Sequence, residues 1–376
     1  MSKQKLPVIF SLFAGLGFLD LGFEKAGYQI AYANELEHAF IEGFKYSRKK
    51  MGINEPIYGF HEGSVTDLLK GKDNKYLKES IDKERDKGNS VGFIAGPPCP
   101  DFSIAGKNKG HEGENGKLTK TYFDLICQFE PDFFLFENVK GLYRTKKHRA
   151  FFEEMKKRVI EKGYVLTERL INTLEFGVPQ YRERIILLGF KKNLLKHLNG
   201  KVEKGISILP DGLFPWNIKF KASEVFAKKW PQKTKFQENK LLEMPNDIIE
   251  ELTVEHWFNK NKVDSHENAR HAFRPKAGLA RFLTVEEGDD SRKSYKRLHR
   301  WRYAPTAAFG NNEVHLHPYQ ARRISVAEAL AVQSLPKEYT LPSNMTLTDM
   351  FKGVGNGVPF LAANHIAKSI KKFLEI

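Results

Sequence analysis

Residues with the types and spacing for chemistry fall in a few short stretches of the 376-residue chain. One is Gly96-Pro97-Pro98-Cys99, which follows the apolar run Val91-Gly92-Phe93-Ile94-Ala95. That run fits a short buried strand, and the two prolines stop it and stiffen the turn. Cys99 is one of only two cysteines in the chain. A thiol held at the end of a core strand by a rigid turn is placed for nucleophilic attack; the alternative is a small buried loop cysteine. A second stretch is Glu137-Asn138-Val139, an acid at the end of Phe133-Phe134-Leu135-Phe136, where α/β sheets place their sites. A third is Gln180-Tyr181-Arg182-Glu183-Arg184. In a strand Gln180, Arg182 and Arg184 would share one face. The last is a glycine turn, Ala14-Gly15-Leu16-Gly17, with Glu35 beyond it. Such glycines let backbone approach a ligand, and such an acid accepts hydrogen bonds from ribose hydroxyls; an ordinary α/β turn is the alternative.

The elements that must hold these residues read as alternating strands and helices. Val8 to Phe13 is a strand, a helix carrying Leu19, Phe23 and Ala26 stops at Gly27, and Gln29 to Asn34 is a second strand. Residues 71–90 read as a charged helix and loop. Ile104 to Lys117, with Gly106, Gly110, Gly113 and Gly116 among lysines, reads as a mobile loop able to close over substrate, or as an ordinary exposed loop. Helices are expected at 120–129 and 149–162, and strands at 133–136, 164–170 and 185–190. After Lys191 the alternation is lost until Tyr303, and this stretch holds all four tryptophans, Trp216, Trp230, Trp257 and Trp301. It ends in a basic run from Arg292 to Arg302 interleaved with Tyr295 and Trp301, a composition suited to phosphate contact and base stacking or to a solvated basic face. The pattern returns at Ile324 to Val332, with Ser325 and Glu328 spaced as a capping box. A glycine-rich turn, Phe351 to Pro359, opens a last helix from Phe360 to Leu374. The expected organisation is a catalytic domain over 1–190, an inserted module over 191–303 and a return to the first domain over 304–376.

Composition bounds the partner. The net charge is +15 and hydrophobic residues make up 41% of the chain, which fits a sizeable core and a polyanionic partner, nucleic acid before membrane surface. Two cysteines form no secreted disulfide framework. The N-terminal apolar run is too short for a signal peptide and no stretch reaches membrane-spanning length, so a cytoplasmic protein without a membrane partner is expected. His315-Leu316-His317 lacks the further ligands a metal site needs, and no metal is expected.

Taken together, the motifs resemble those of the cytosine-C5 DNA methyltransferases, in that family's order over nearly the whole chain. The cofactor turn is Phe13-Ala14-Gly15-Leu16-Gly17, the catalytic turn Gly96-Pro97-Pro98-Cys99, the acid motif Glu137-Asn138-Val139 and the arginine motif Gln180 to Arg184. Arg323 to Glu328 with Gln333-Ser334-Leu335-Pro336 looks like the family's late structural motif, and Gly355-Asn356-Gly357-Val358-Pro359 like its last. Cys99 stands where methyltransferases that act on amino groups carry an aromatic residue, which points to attack at carbon.

The resemblance implies an α/β fold: a Rossmann-like domain that binds S-adenosylmethionine, with a smaller irregular target-recognition domain inserted near the C-terminus. By resemblance Cys99 adds to C6 of cytosine, Glu137 holds N3 and the exocyclic amine in a protonated or proton-sharing form, Arg184 binds O2 and Arg182 supports the loop. Phe13 and Leu36 would flank the adenine, Glu35 would take the ribose, and Gly15 and Gly17 would meet the methionine end. Ala14, Leu16, Ser64, Val65, Pro97, Leu118, Asn356, Gly357 and Val358 would complete the pocket. Ser103, Lys107, Lys109, Gln180, Arg292, Lys293, Lys296, Arg297, Arg300 and Arg302 would contact DNA. The implied partners are double-stranded DNA and a restriction endonuclease that shares the site without stable association. The chain departs from the family pattern at Phe18, usually glycine; Ser64, usually aspartate; Pro100, commonly glutamine; and Ala105, often serine. A serine at 64 still hydrogen-bonds adenine, less strongly than a carboxylate. A tRNA cytosine-C5 methyltransferase and a catalytically inactive DNA-binding relative are the competing readings. The long insert favours DNA over tRNA, and retention of Cys99, Glu137 and Arg184 speaks against inactivity.

Overall fold

Strands that are apolar on both faces must be covered on both faces, and the chain does this with helices on each side of one sheet. A computed structural model describes residues 6–98, 114–198, 205–274, 279–307, 309 and 314–374. In chain order the first half contains β1 (Val8–Leu12), α1 (Phe18–Lys25), β2 (Gln29–Glu35), α2 (His38–Lys50), β3 (Phe60–Glu62), α3 (Gly71–Asp86), β4 (Val91–Ala95), α4 (Glu114–Phe129), β5 (Phe133–Val139), α5 (Lys140–Arg144), α6 (Lys146–Glu161), β6 (Tyr164–Asn172) and β7 (Glu183–Lys191). The strands form a seven-stranded sheet in the order β3-β2-β1-β4-β5-β7-β6. Strands β1 to β5 pair in parallel, and β7 runs antiparallel to both of its neighbours. This Rossmann-like α/β arrangement is the fold class the sequence led us to expect.

Alternation along the strands builds two cores. Phe10, Leu12, Phe93, Phe134 and Phe136 face α3, α4 and α6. Ile9, Ile94, Phe133, Leu135 and Ile186 face α1 and the C-terminal helix. Period-two placement of these buried side chains is what fixes each strand's register.

The second half contains α7 (Ala222–Ala227), α8 (Val254–Asn261), α9 (Leu279–Thr284), β8 (Lys296–Arg297), β9 (His315–Leu316), α10 (Val326–Val332), α11 (Leu347–Asn356) and α12 (Phe360–Phe373). The capping box of α10 forms as expected: Ser325 caps the Glu328 N–H and Glu328 returns to the Ser325 N–H. Phe351 to Asn356 is not a turn but the end of helix α11. Its glycines answer to packing, since a Cβ on Gly353 would stand 2.6 Å from Leu16 Cδ1. Packing also changes later than Lys191. Leu194, Leu195, Leu198, Leu209 and Phe214 fill the second core beside α12, so the chain stays on the sheet until about Phe220. From there Val225, Trp230 and Leu252 gather in a separate cluster with Phe220 and Tyr303. A third core joins α8, α10 and α11 to Leu16, Phe18 and Phe40 of the first half.

Candidate active site

Strand register brings the motifs to one edge. Leu12 lies beside Asn34 and Ala95, and Ala95 beside Phe136. The chain therefore leaves β1, β2, β4 and β5 at a common level, and Phe13–Gly17, Glu35, Gly96–Pro98 and Glu137 emerge side by side. This is the carboxyl edge of the parallel strands, where open α/β sheets bind ligands.

At the first turn Phe13, Gly15 and Gly17 all have left-handed backbone, with φ of 55°, 57° and 75°. Nothing lies within 4 Å of a Cβ placed on Gly15, so the glycine presents open backbone. Glu35 is fixed from behind. Its Oε2 accepts the Gly15 N–H at 2.8 Å and its Oε1 the N–H groups of Leu36 and Glu37 at 2.9 and 3.0 Å. The carboxylate is preorganised and keeps lone pairs for further donors. Leu36 beside it is 62% exposed, an apolar side chain left available for a flat partner. These features fit an adenosine-type group. Pro97 is buried and Leu118 packs partly against the first core. Of the other expected pocket residues, Val65 is buried in the first core, and Ser64 caps the 3-10 turn Val65–Leu69, accepting the Thr66 N–H. From the far end of the chain Val358 comes within 3.7 Å of a Cβ built on Gly96, while Asn356 is exposed at the end of α11.

Glu137 is buried, and its Oε2 lies 3.1 Å from the position a Cβ on Gly96 would take. The acid thus faces the Gly-Pro-Pro turn directly. Its Oε1 is 2.9 Å from Arg184 Nε, because antiparallel pairing sets Val139 opposite Arg184 on β7. Arg182 is buried and donates to the Gly355 carbonyl at 3.0 Å, tying the arginine motif to the last motif. Cys99, Ser103, Lys107 and Lys109 lie outside the described residues, as do Pro100, Ala105 and most of the expected closing loop. Cys127 is half-buried in α4, and burial raises its thiol pKa, the setting of an inert thiol.

The sequence reading assigned no role to Glu183 or Lys140. Glu183 pairs with Lys140, accepts the Tyr181 hydroxyl at 3.1 Å and has Arg144 at 3.8 Å. Burial pushes its carboxyl up, but the Lys140 hydrogen bond and charge, with Tyr181 and Arg144, outweigh burial and hold it below the usual range. The network clasps the end of β5 to the start of β7 and so supports the Glu137–Arg184 pair. Its traces in the sequence are a cation three residues after Glu137 and the Tyr181 and Glu183 that stand between the residues of the arginine motif.

The expected DNA face divides. Arg297 is fully buried and donates to the carbonyls of Phe282, Val285, His317 and Gln320. Arg300 is buried in a two-pronged pair with Glu287 at 2.9 Å and reaches the Lys240 carbonyl. Both hold the inserted unit together, which corrects their expected contact with DNA. Arg302 is largely taken up by Gly288, Asp290 and Pro231. Gln180 is also corrected: it is fully buried, outside β7, and bridges Gln333 and the Ala307 N–H. Arg292 and Lys293 are exposed and Lys296 is half-exposed. Two reciprocal 2.9 Å bonds between Thr234 and Glu287 bring Lys233 and Lys235 to the same rim, with Lys233 2.9 Å from Asp289. A row of rings, Trp230, Tyr303, Tyr181 and Phe226, runs from this rim to the arginine motif.

Among the described residues no cluster of His, Cys, Asp and Glu could hold a metal, and no helix is long and apolar enough to cross a membrane.

A family profile described as C-5 cytosine-specific DNA methylase matches residues 8–372. The chain is 55% identical to the type II methyltransferase M.NmeDI of Neisseria meningitidis serogroup C, over 99% of this chain and 85% of that protein. It is 28% identical to the type II methyltransferase M.MthTI of Methanothermobacter thermautotrophicus, over 98% of each. Among solved structures, a methyltransferase encoded within an E. coli prophage superposes with a TM-score of 0.65 at 20% identity, covering 99% of this chain and all of that one. At that identity the likeness is one of fold.

Proposed function

The chain belongs to the C-5 cytosine-specific DNA methylase family, and from that premise we propose that it methylates C5 of a flipped-out cytosine in a specific duplex sequence through a covalent Cys99 adduct. The observation that carries the reading is the Glu137–Arg184 pair facing the Gly96-Pro97-Pro98 turn, next to the open Gly15–Glu35 loop. C5 of cytosine is a weak nucleophile, and a thiolate adding at C6 moves electron density onto it. Glu137 holds N3 and the exocyclic amine and so offsets charge developing on the ring. Arg184, aligned by Glu137 and by its own bond to the Glu183 carbonyl at 2.8 Å, offers its remaining N–H groups to O2. S-adenosylmethionine supplies the electrophilic methyl group. A base then takes the C5 proton, and the thiolate leaves C6. Phe13, Glu35 and Leu36 hold the adenosine, with Gly15 and Gly17 at the methionine end. The target base is out of reach within a duplex and must be extruded, at a cost of a few kcal/mol, roughly.

The exposed basic residues Lys233, Lys235, Arg292 and Lys293, with half-exposed Lys296, suit phosphate contact. The unit from about residue 221 onward is the one we assign to target recognition. Its size supports duplex DNA over tRNA as the substrate. The names of its relatives support a type II restriction-modification role, in which an endonuclease cutting the same sequence is kept from the host's DNA. That setting is cytoplasmic.

Bisulfite sequencing of DNA from cells expressing the protein gives the target. A duplex with 5-fluorocytosine at that position then tests the chemistry, with tRNA as the comparison substrate. Fluorine cannot leave C5 as a proton, so the wild-type enzyme with S-adenosylmethionine stays joined to the duplex after denaturation. Cys99→Ser gives no such complex, and Glu137→Gln forms it slowly. A denaturation-resistant complex that forms equally with Cys99→Ser, or labelled methyl transfer to tRNA in place of DNA, would overturn the reading.

A further inference from the structure

Beneath the cofactor loop lies a charged cluster that the chemistry above does not use. Arg48, near the end of α2, is 1% exposed. Its Nε and Nη2 grip the two carboxylate oxygens of Glu24 at 3.2 and 2.8 Å, and Nη2 also reaches the Gly17 carbonyl at 3.4 Å. Glu24 lies in the last turn of α1 and Gly17 caps its first. One guanidinium therefore straps both ends of the helix. The ring of Phe44, one turn earlier on α2, sits under the same groups. The guanidinium carbon is 3.4 Å from its centroid, and a Cβ on Gly17 would meet its Cζ at 2.6 Å. Tyr339 donates to the Leu16 carbonyl at 2.6 Å. Asp20 is wholly buried in the first turn of α1, where burial raises its pKa and the nearby charge of Arg48 offsets that only in part.

We propose that Arg48 is a positioning residue for the cofactor: it fixes the left-handed Gly15–Gly17 turn against Glu35 and aims the N-terminus of α1 at the bound molecule. Stability alone gives a weak reason to bury such a pair, since apolar residues of similar volume serve as well or better. The geometry gives a stronger one. Gly17 has no side chain with which to cap α1, and its φ of 75° is held by contacts from below. A planar fork stacked on a ring locks direction in a way that a lysine's point charge cannot.

The inference rests on the reading that this loop takes S-adenosylmethionine, and the experiment separates the two. Wild type, Arg48→Lys and the double variant Arg48→Met/Glu24→Gln are compared. The double variant removes both members of the ion pair together, so neither is left without the other, and the melting temperature reports the cost at Asp20, which loses its nearby cation. Calorimetric titration with S-adenosylhomocysteine, KM for S-adenosylmethionine, kcat at saturating cofactor, DNA affinity and melting temperature are measured. In the folded double variant, cofactor Kd and KM rise by about ten-fold or more, the scale on which supporting-shell changes act. The same variant keeps kcat and DNA affinity within about two-fold of wild type, while Arg48→Lys falls between. Should the double variant fail to fold, Phe44→Leu keeps the charges paired, removes the ring from under Gly17 and is expected to give the same split. Wild-type cofactor affinity in a folded variant would overturn the role of Arg48. Failure of the wild type to bind S-adenosylhomocysteine would overturn the reading of the loop itself.

Discussion

That Glu137 and Arg184 would meet was legible because each stands at a strand end, and strand ends in this sheet share one edge. Arg297 and Arg300 were misread for a complementary reason. A basic run records charge but not which of its side chains turn inward, and only the carbonyls and the carboxylate around them settle that. Phe18 shows a departure from the family pattern that packing explains. Its ring is buried edge-on to Tyr339, with centroids 5.2 Å apart, and a Cβ on Gly357 would stand 2.2 Å from its Cδ2. Gly357 has an ordinary φ of −61°, so the demand on it is steric. Gly357→Ala should therefore destabilise the protein by about 1–3 kcal/mol, as overpacking does, and should raise KM for S-adenosylmethionine. Adding Phe18→Leu should restore most of the stability. Denaturant unfolding of both single variants and the double one measures the coupling, and strictly additive effects would show that the two residues do not share the space.

At the scale of elements, the central strands were readable from apolar runs, and α10 from its capping box. The helix α11 was not, because Gly353 and Gly355 lower local helix propensity; tertiary packing against Leu16 and Phe40 overrides it. The stretch 192–220 looked foreign for want of periodicity, yet its leucines and Phe214 complete the sheet's second core. The His315-Leu316-His317 pair, set aside as a metal site, has a structural explanation. Burial lowers the pKa of His315 to about 3 and that of His317 well below its ordinary value. His317 Nδ1 accepts the N–H groups of Tyr319 and Gln320. Burial likewise lowers His299 to about 4, against the pull of Glu287. A histidine held neutral in the fold takes up protons more readily when unfolded. Stability is therefore full above the ordinary value of about 6.5 and is lost as pH falls from there toward the folded value. Each such group contributes a slope of up to about 1.4 kcal/mol per pH unit in that window. Thermal melts between pH 7 and 4 should show this decline, shallower in His299→Gln at equal ionic strength. An identical slope in that variant would show that His299 does not titrate with unfolding.

For the whole molecule, a net charge of +15 announces a polyanion without saying which face meets it. The structure narrows the choice by subtraction. Among the described residues Lys235, Arg292 and Lys293 are exposed and pair with no carboxylate, whereas Arg297, Arg300 and Arg302 are spent inside the unit. The rim is also discontinuous in sequence, since the Thr234–Glu287 pairing joins Lys233 and Lys235 to Arg292 and Lys293. No reading of one basic run could assemble it. Phosphate contacts release counterions, so the logarithm of affinity falls with the logarithm of salt by about 0.9 for each phosphate neutralised. Changing Lys233, Lys235, Arg292 and Lys293 together to glutamine should weaken DNA binding and flatten that dependence by about 0.9 for every phosphate no longer neutralised. Cofactor affinity and melting temperature should stay near wild type, because these side chains stand in solvent. Arg300→Gln should behave in the opposite way. It leaves Glu287 buried without its partner, a change that typically costs about 3–5 kcal/mol, so the melting temperature should fall before any change in salt dependence appears. Titrations of a labelled target duplex from low to moderate salt, paired with melts of the same preparations, separate the outcomes. An unchanged slope in the quadruple variant would mean that this rim is only solvated and that DNA docks elsewhere.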